Sequence, residues 1–385
     1  MKKLSVYIHI PFCVRKCFYC DFLSAAATEE TKQQYVDKLI EEIEREAENY
    51  REYEVVSVFF GGGTPSVLKT EDTERIMRVL RGNFTIVQSA EITSEVNPKT
   101  ADFAKLKAYH EMGFNRLSIG MQSTDDRELR ALGRIHDYQD FLDVFEAARR
   151  AGFQNLNVDI MSALPGQSVK SYEKTLEKVL QLQPEHISAY SLIIEEGTPF
   201  YEWFGEEENQ RQRTGECVQL PNEEEERRMY ELTEKMLEKK GYHRYEISNY
   251  AKEGYACRHN QAYWTRQDYV GFGIGAASLI ENRRFQNKSD LNQYLAGEVE
   301  KEEQIQLTKK ECMEEFMFLG LRLTKGVEKE QFFEQFSLPL EQVYGDVLNK
   351  QESLGLLVNG EKNVYLTKKG LDVSNLVMAE FLLDE

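Results

Sequence analysis

The chain is poor in the features that would place it outside the ordinary soluble proteins. No apolar run in its 385 residues approaches the roughly 18 that a membrane span needs. The opening Met1-Lys2-Lys3, followed by the alternating Ser5 to Ile10, has no signal-peptide core, so a cytoplasmic chain is expected. It has no block of basic residues. With 48 Lys+Arg against 66 Asp+Glu, the net charge of −18 opposes contact with nucleic acid, whose phosphates require a basic footprint. Proline is scarce, at 8, and 24 glycines are too few for a low-complexity chain. At 41% hydrophobic and 11% aromatic the sequence can bury a core, and the length suits two or three domains of about 150 residues.

There are six cysteines, and three of them, Cys13, Cys17 and Cys20, crowd into one short stretch, while Cys217, Cys257 and Cys312 are scattered. An odd cluster in a reducing compartment indicates a metal site and not a disulfide framework.

Hydrophobic period predicts strands at Ser5 to Ile10, Val55 to Phe60, Ala90 to Val96, Arg116 to Ile119, Asn155 to Met161 and His186 to Leu192. Helical spacing fills the intervals at Glu29 to Tyr50, Glu71 to Leu80, Thr100 to Met112, Tyr138 to Ala151 and Ser168 to Leu182, with Gly113 and Gly152 where helices end. Six strand-helix units in succession imply parallel strands with right-handed crossovers, hence an α/β sheet or a partial (β/α)6 barrel. Periodicity alone leaves those two open.

Beyond this core, Phe200 to Gly215 is polar and acidic and reads as a surface loop. A helix is expected from Asn222, its acidic run Glu223 to Glu226 complementing the helix dipole. After Lys301, helices at Glu311 to Leu323, Lys329 to Phe336 and Leu340 to Leu354 precede a hairpin around Asn359-Gly360, a winged-helix-like appendage. Its 10 basic and 16 acidic residues oppose DNA reading. The chain thus divides into residues 1–200, a barrel core carrying the cysteine loop; 201–300, a barrel-extending segment; and 301–385, the appendage.

The spacing Cys13-x3-Cys17-x2-Cys20 directly follows the first strand. Three thiolates are one short of a closed zinc site, whereas three on an iron-sulfur cubane leave one iron free for an external chelate. Zinc held by these cysteines and His9 is the alternative. Behind the second strand, Gly61-Gly62-Gly63-Thr64-Pro65 lets backbone approach a ligand, yet matches neither a P-loop nor a dinucleotide fingerprint. Glu95, Gln122 and Asp159 lie at or near further strand ends. In a (β/α) architecture those ends open on one face, so these groups and the cysteine loop should converge.

Taken together, these motifs resemble the radical S-adenosylmethionine (SAM) superfamily, whose Cys-x3-Cys-x2-Cys loop holds a 4Fe-4S cluster chelated by SAM. Within it the chain is similar to the oxygen-independent coproporphyrinogen III dehydrogenases over Tyr7-x-His9-Ile10-Pro11-Phe12-Cys13, the glycine loop, Glu95-Val96-Asn97-Pro98, Gly120-Met121-Gln122-Ser123, Asp159 and Leu164-Pro165-Gly166. The resemblance implies that Cys13, Cys17 and Cys20 ligate the cluster and that Tyr7, Gly62, Gly63, Thr64, Glu95, Gln122, Arg134 and Asp159 line SAM sites.

Two departures redirect the expectation. The dehydrogenases carry a further cysteine two residues after the third, where this chain has Phe22, and only six residues precede Tyr7. The sister branch, the HemW-type heme chaperones, shares His-Asn-x2-Tyr-Trp, present as His259-Asn260-Gln261-Ala262-Tyr263-Trp264. That resemblance implies heme as a third cofactor and heme-acceptor proteins, such as respiratory enzymes, as partners; any membrane contact would run through a partner.

Chemically, His259 offers an axial ligand, and Tyr263 and Trp264 flat apolar surface. The same residues could instead order the loop closing the barrel mouth, and the Cys257 thiolate is another possible iron ligand. The competing reading is catalytic: radical decarboxylation of coproporphyrinogen III to protoporphyrinogen IX, which Phe22 counts against.

Overall fold

The computed structural model describes residues 1–383. Strand and helix alternate through the first half: β1 (Lys2–Ile10), α1 (Glu29–Glu46), β2 (Tyr53–Gly62), α2 (Thr70–Asn83), β3 (Thr85–Val96), α3 (Phe103–Glu111), β4 (Arg116–Gln122), α4 (Asp126–Ala131), α5 (Tyr138–Ala151), β5 (Leu156–Ser162), α6 (Val169–Leu182) and β6 (His186–Ser191). Strands β1 to β6 pair in parallel and in chain order. A doubly wound sheet reverses its strand order at a switch point; this one does not, and it is the arc of a barrel. The choice that periodicity left open is settled by strand order.

After β6 come α7 (Pro199–Thr214), α8 (Glu223–Glu238), β7 (His243–Arg244), β8 (Asn249–Ala251), α9 (Arg258–Trp264), β9 (Tyr269–Phe272), β10 (Ala277–Ile280), β11 (Arg283–Asn287), α10 (Leu291–Leu295) and β12 (Lys301–Gln306). Strand β9 joins β1 in parallel, with β10, β11 and β12 continuing antiparallel beyond it; β8 and β7 extend the other edge from β6. The twelve-stranded sheet stays open, β12 at one end and β7 at the other.

Side chains alternate across each barrel strand. On β1, Leu4, Val6, Ile8 and Ile10 are fully buried in one core with Val36, Leu39 and Ile43 of α1. Each such side chain contributes about 1.5–3 kcal/mol relative to exposure. The alternate face carries polar groups: Ser5 on β1, Ser57 on β2, Glu91 and Glu95 on β3, Arg116 and Ser118 on β4, Asn157 and Asp159 on β5, His186 and Ser188 on β6. These inward residues build everything described below.

Phe200 to Gly215 is a helix, not the acidic surface loop that composition suggests. Thr198 caps α7 by accepting from the Tyr201 amide, Pro199 occupies its first turn, and Gly215 ends it with a φ of 76°. Phe200 and Phe204, one turn apart, pack with Phe18, Tyr19 and Leu192. Glu207 is turned back to accept from the amides of Val218, Gln219 and Leu220, so part of the acidic run serves the next turn of chain. The expected helix at Asn222 is α8, with the acidic run in its first turn, and Asn222 and Glu225 add a capping box.

The C-terminal unit contains α11 (Lys309–Gly320), β13 (Val327–Glu328), α12 (Lys329–Phe336), α13 (Leu340–Ser353), β14 (Leu357–Asn359) and β15 (Asn363–Leu366), around a core of its own that includes Phe316, Phe332, Tyr344 and Leu348. Its three antiparallel strands run β13-β15-β14, a winged-helix-like arrangement. Among the described residues no helix is long and apolar enough to cross a membrane.

Candidate functional site

The cysteine loop begins where Pro11 leaves β1 and is pinned along its length. The Cys13 amide donates to the Ala25 carbonyl (3.0 Å), Phe18 to Leu132 (3.0 Å), and the Arg15 guanidinium to the Gly133 carbonyl (2.6 Å). The glycine loop docks beneath it: Gly63 N–H donates to Ile10 and Thr64 N–H to Phe12. A Cβ on Gly63 would lie 2.7 Å from the Phe12 carbonyl oxygen, and one on Gly62, whose φ is +110°, would strike the His9 ring. Only glycine permits this approach.

Between loop and strand ends lies a cavity of about 150 Å³. Cys13, Cys17 and Cys20 line it, with Gly62, Gly63, Thr64, Glu95, Gln122, Arg134 and Asp159. Tyr7 does not. Its ring lies deeper, beside Phe59 and His259, and its hydroxyl is 3.1 Å from His9 Nδ1. His9 Nε2 reaches the Leu23 carbonyl at 3.0 Å, so this imidazole, the fourth ligand of the zinc alternative, is engaged elsewhere.

A polar chain joins two of the three thiols. Arg134 donates to Cys17 Sγ (3.7 Å), to the Gly120 carbonyl (2.6 Å) and to Asn97 Oδ1 (2.6 Å). Asn97 Nδ2 donates to Thr64 Oγ1 (2.7 Å), which stands 3.4 Å from Cys13 Sγ. Asn97 was not among the expected ligand-lining residues. Its signal is the strand phase it shares with Glu95.

No group of three or more His, Cys, Asp or Glu among the described residues is arranged to hold a single metal ion. The three thiols ring one cavity, which suits a cluster whose irons take one sulfur each. A hydroxyl stands beside Cys13 and a guanidinium beside Cys17. Burial pushes the Cys20 thiol up to about 11. The donor set therefore fits an iron-sulfur cluster whose binding displaces protons.

Glu95 and Asp159 face the same space. Burial, reinforced by the Asp159 charge, raises Glu95 to about 8, although the Gly62 amide favours its ionised form. Burial raises Asp159 too, opposed by hydrogen bonds from Asn157, Ser188 and Ser118. A desolvated carboxylate pair is relieved by a cation.

A second cavity, of about 400 Å³, shares the walls Cys20, Phe22, Glu95, Ser118, Gln122 and Asp159 and reaches down to Arg116, Asn157 and Asn260. Phe22, 64% exposed, and Tyr190 and Ile193, both exposed, stand at its rim.

The His259 to Trp264 segment is the helix α9, lying across the N-terminal side of the barrel interior, opposite the cysteine loop. Glu91 holds its start, accepting from the Arg258 amide (3.1 Å), the His259 amide (3.1 Å) and the Cys257 thiol (3.3 Å). His259 is 1% exposed, with Nδ1 3.0 Å from Ser57 Oγ and Nε2 2.9 Å from the Tyr263 hydroxyl. Burial and the nearby Arg116 charge lower it to about 3. Trp264 faces away toward the C-terminal unit, under the Arg322 guanidinium at 4.3 Å. The fold thus joins His259 with Tyr263 but separates both from Trp264. Of the motif, Asn260 is the residue that reaches the cavity.

Comparison with known proteins agrees with this architecture. A model of the radical SAM superfamily matches residues 7–179, and one of the HemN C-terminal domain matches residues 307–373. The heme chaperone HemW of Bacillus subtilis (strain 168) is 38% identical over 386 residues, covering 98% of this chain and 99% of the relative. That of Lactococcus lactis subsp. lactis (strain IL1403) is 36% identical over 388 residues, covering 100% and 98%. Among solved structures, the coproporphyrinogen III oxidase HemN of Escherichia coli, a radical SAM enzyme, is similar at a TM-score of 0.84 and 26% identity, covering 99% of this chain and 90% of that one. With full-length relatives at this identity and the same barrel and appendage, the chain belongs to the HemW heme chaperone family of radical SAM proteins.

Proposed function

We propose that the chain is a heme chaperone that holds a 4Fe-4S cluster on Cys13, Cys17 and Cys20, binds SAM beside it, and carries heme to acceptor proteins in the cytoplasm, respiratory enzymes among them. The observation that carries this reading is the common cavity, where three thiols meet Gly62, Gly63, Thr64, Glu95, Gln122, Arg134 and Asp159. A cluster bound there would supply an iron with an open coordination position. Arg134, Asn97 and Thr64 hold two of the thiols in place before loading. Glu95 and Asp159 offer negative charge to the ammonium or sulfonium of SAM, and the glycine loop, bare of side chains, leaves room for the ligand to approach. Tyr7 and His9 support the loop at Leu23.

The catalytic alternative finds less support. At the rim where the dehydrogenases carry a further cysteine, Phe22 presents an exposed phenyl ring, which has no proton or electron to give. The same ring, with Tyr190 and Ile193, gives an apolar edge suited to a macrocycle. Anaerobically reconstituted protein should therefore bind heme in a Soret titration, while giving little protoporphyrinogen from coproporphyrinogen III, SAM and reductant. Rapid turnover without heme binding would reverse the proposal.

A further inference from the structure

Arg116 is 2% exposed, one of the largest fully buried side chains, and its Nε has no hydrogen-bond partner. Arg116 is among the residues that line the 400 Å³ cavity. The surrounding charges do not satisfy it by hydrogen bonding. Both Glu91 oxygens accept from the start of α9, and Asp159 accepts from Ser118 and Asn157. A buried guanidinium with unmet N–H groups is expensive unless something else completes its bonds. Asn260 lines the same cavity and adds an amide donor. Two planar donor groups on one cavity match the two oxygens of a carboxylate.

We propose that Arg116 and Asn260 form a receptor for a carboxylate, carried on an arm that reaches down from a ligand lying toward the Phe22, Tyr190 and Ile193 rim. This rests on the heme-carrying reading where the arm is a tetrapyrrole propionate; the carboxylate of an amino-acid-like ligand such as SAM offers the same chemistry. The depth is consistent with an arm and not a bare ion. Register sets Arg116 level with Thr93, and Ser118 level with Glu95, so the guanidinium lies one inward position below the Glu95 row.

The test uses full-length reconstituted protein titrated with heme and with heme dimethyl ester, and separately with SAM by equilibrium dialysis. Wild type should prefer heme to its ester at least tenfold, and Arg116→Gln should erase that preference, which assigns the propionate. Loss of bound SAM in Arg116→Gln, with the heme preference unchanged, assigns the amino-acid carboxylate. Because the single variant leaves the Glu91 charge uncompensated, Glu91→Gln/Arg116→Gln keeps the balance if folding is impaired, with circular dichroism and iron content as controls. Unchanged heme preference and unchanged SAM binding in a folded variant overturns the receptor. Wild type that takes up no heme overturns the chaperone reading instead, and the SAM arm then decides Arg116 alone.

Discussion

The two ends of the barrel interior use the same residue types in opposite ways. At the N-terminal end, Glu91 accepts three hydrogen bonds, and His259 is held at both ring nitrogens. His186 is held likewise, between Asn157 and Tyr245. At the C-terminal end burial raises both Glu95 and Asp159, and three thiols line the cavity they face. Polar groups tied to one another make a plug; polar groups turned on a common cavity make a site. The difference teaches that residue type alone does not locate function inside a polar barrel, whereas the balance of donors and acceptors does.

The largest expected effect separates the cysteines. Cys17→Ala should reduce iron after anaerobic reconstitution to background, whereas Cys257→Ala should leave iron content unaltered; equal loss in both would erase the contrast between the ends.

Next come the two glutamates of β3. Glu91→Gln removes the anion that caps α9 and faces Arg116, and should cost about 3 kcal/mol in denaturant unfolding. Glu95→Gln should raise stability at pH 7, since a side chain titrating near 8 must take up a proton on folding that the amide does not need. With its folded value above the unfolded one, Glu95 contributes stability that is complete at acid pH and lost as pH rises toward 8. That loss should vanish in Glu95→Gln. Cation binding should likewise release a proton below pH 8, visible by calorimetry in buffers of different ionisation enthalpy.

The effect that is smallest at neutral pH concerns acid. His259 and His136 are both lowered to about 3 by burial, so the unfolded chain takes up protons first. Their stability is present above about 6.5 and drains as pH falls toward 3, by up to about 1.4 kcal/mol per pH unit for each imidazole. His259→Ala should flatten part of that slope. A shifted Soret band in the same variant, at unchanged melting temperature, would move His259 from plug to ligand.

Much of this was legible because its signals are local. Cys13, Cys17 and Cys20 sit within one turn of loop, and the six strand-helix units declare themselves by period. Alternation on β3 and β4 already put Glu91 in phase with Glu95 and Arg116 in phase with Ser118. What it could not say is whom they meet. Glu91 caps a helix that begins at Arg258, and Asn97 joins thiols on the far side of two loops. Such partners are chosen by the closed arc, not by neighbours in sequence. Helix α7 escaped because only Phe200 and Phe204 mark its buried side, and short strands such as β7 and β8 offer too few residues for any period to register.

The pairing of β9 with β1 sets an order of events during synthesis. The first strand made waits for a neighbour some 260 positions later, Ser5 against Tyr269, and α9 arrives just before it. A nascent chain halted ahead of Arg258 would display its cysteine loop above an unfloored half-pipe. A truncated product would be left with an unpaired β1 edge.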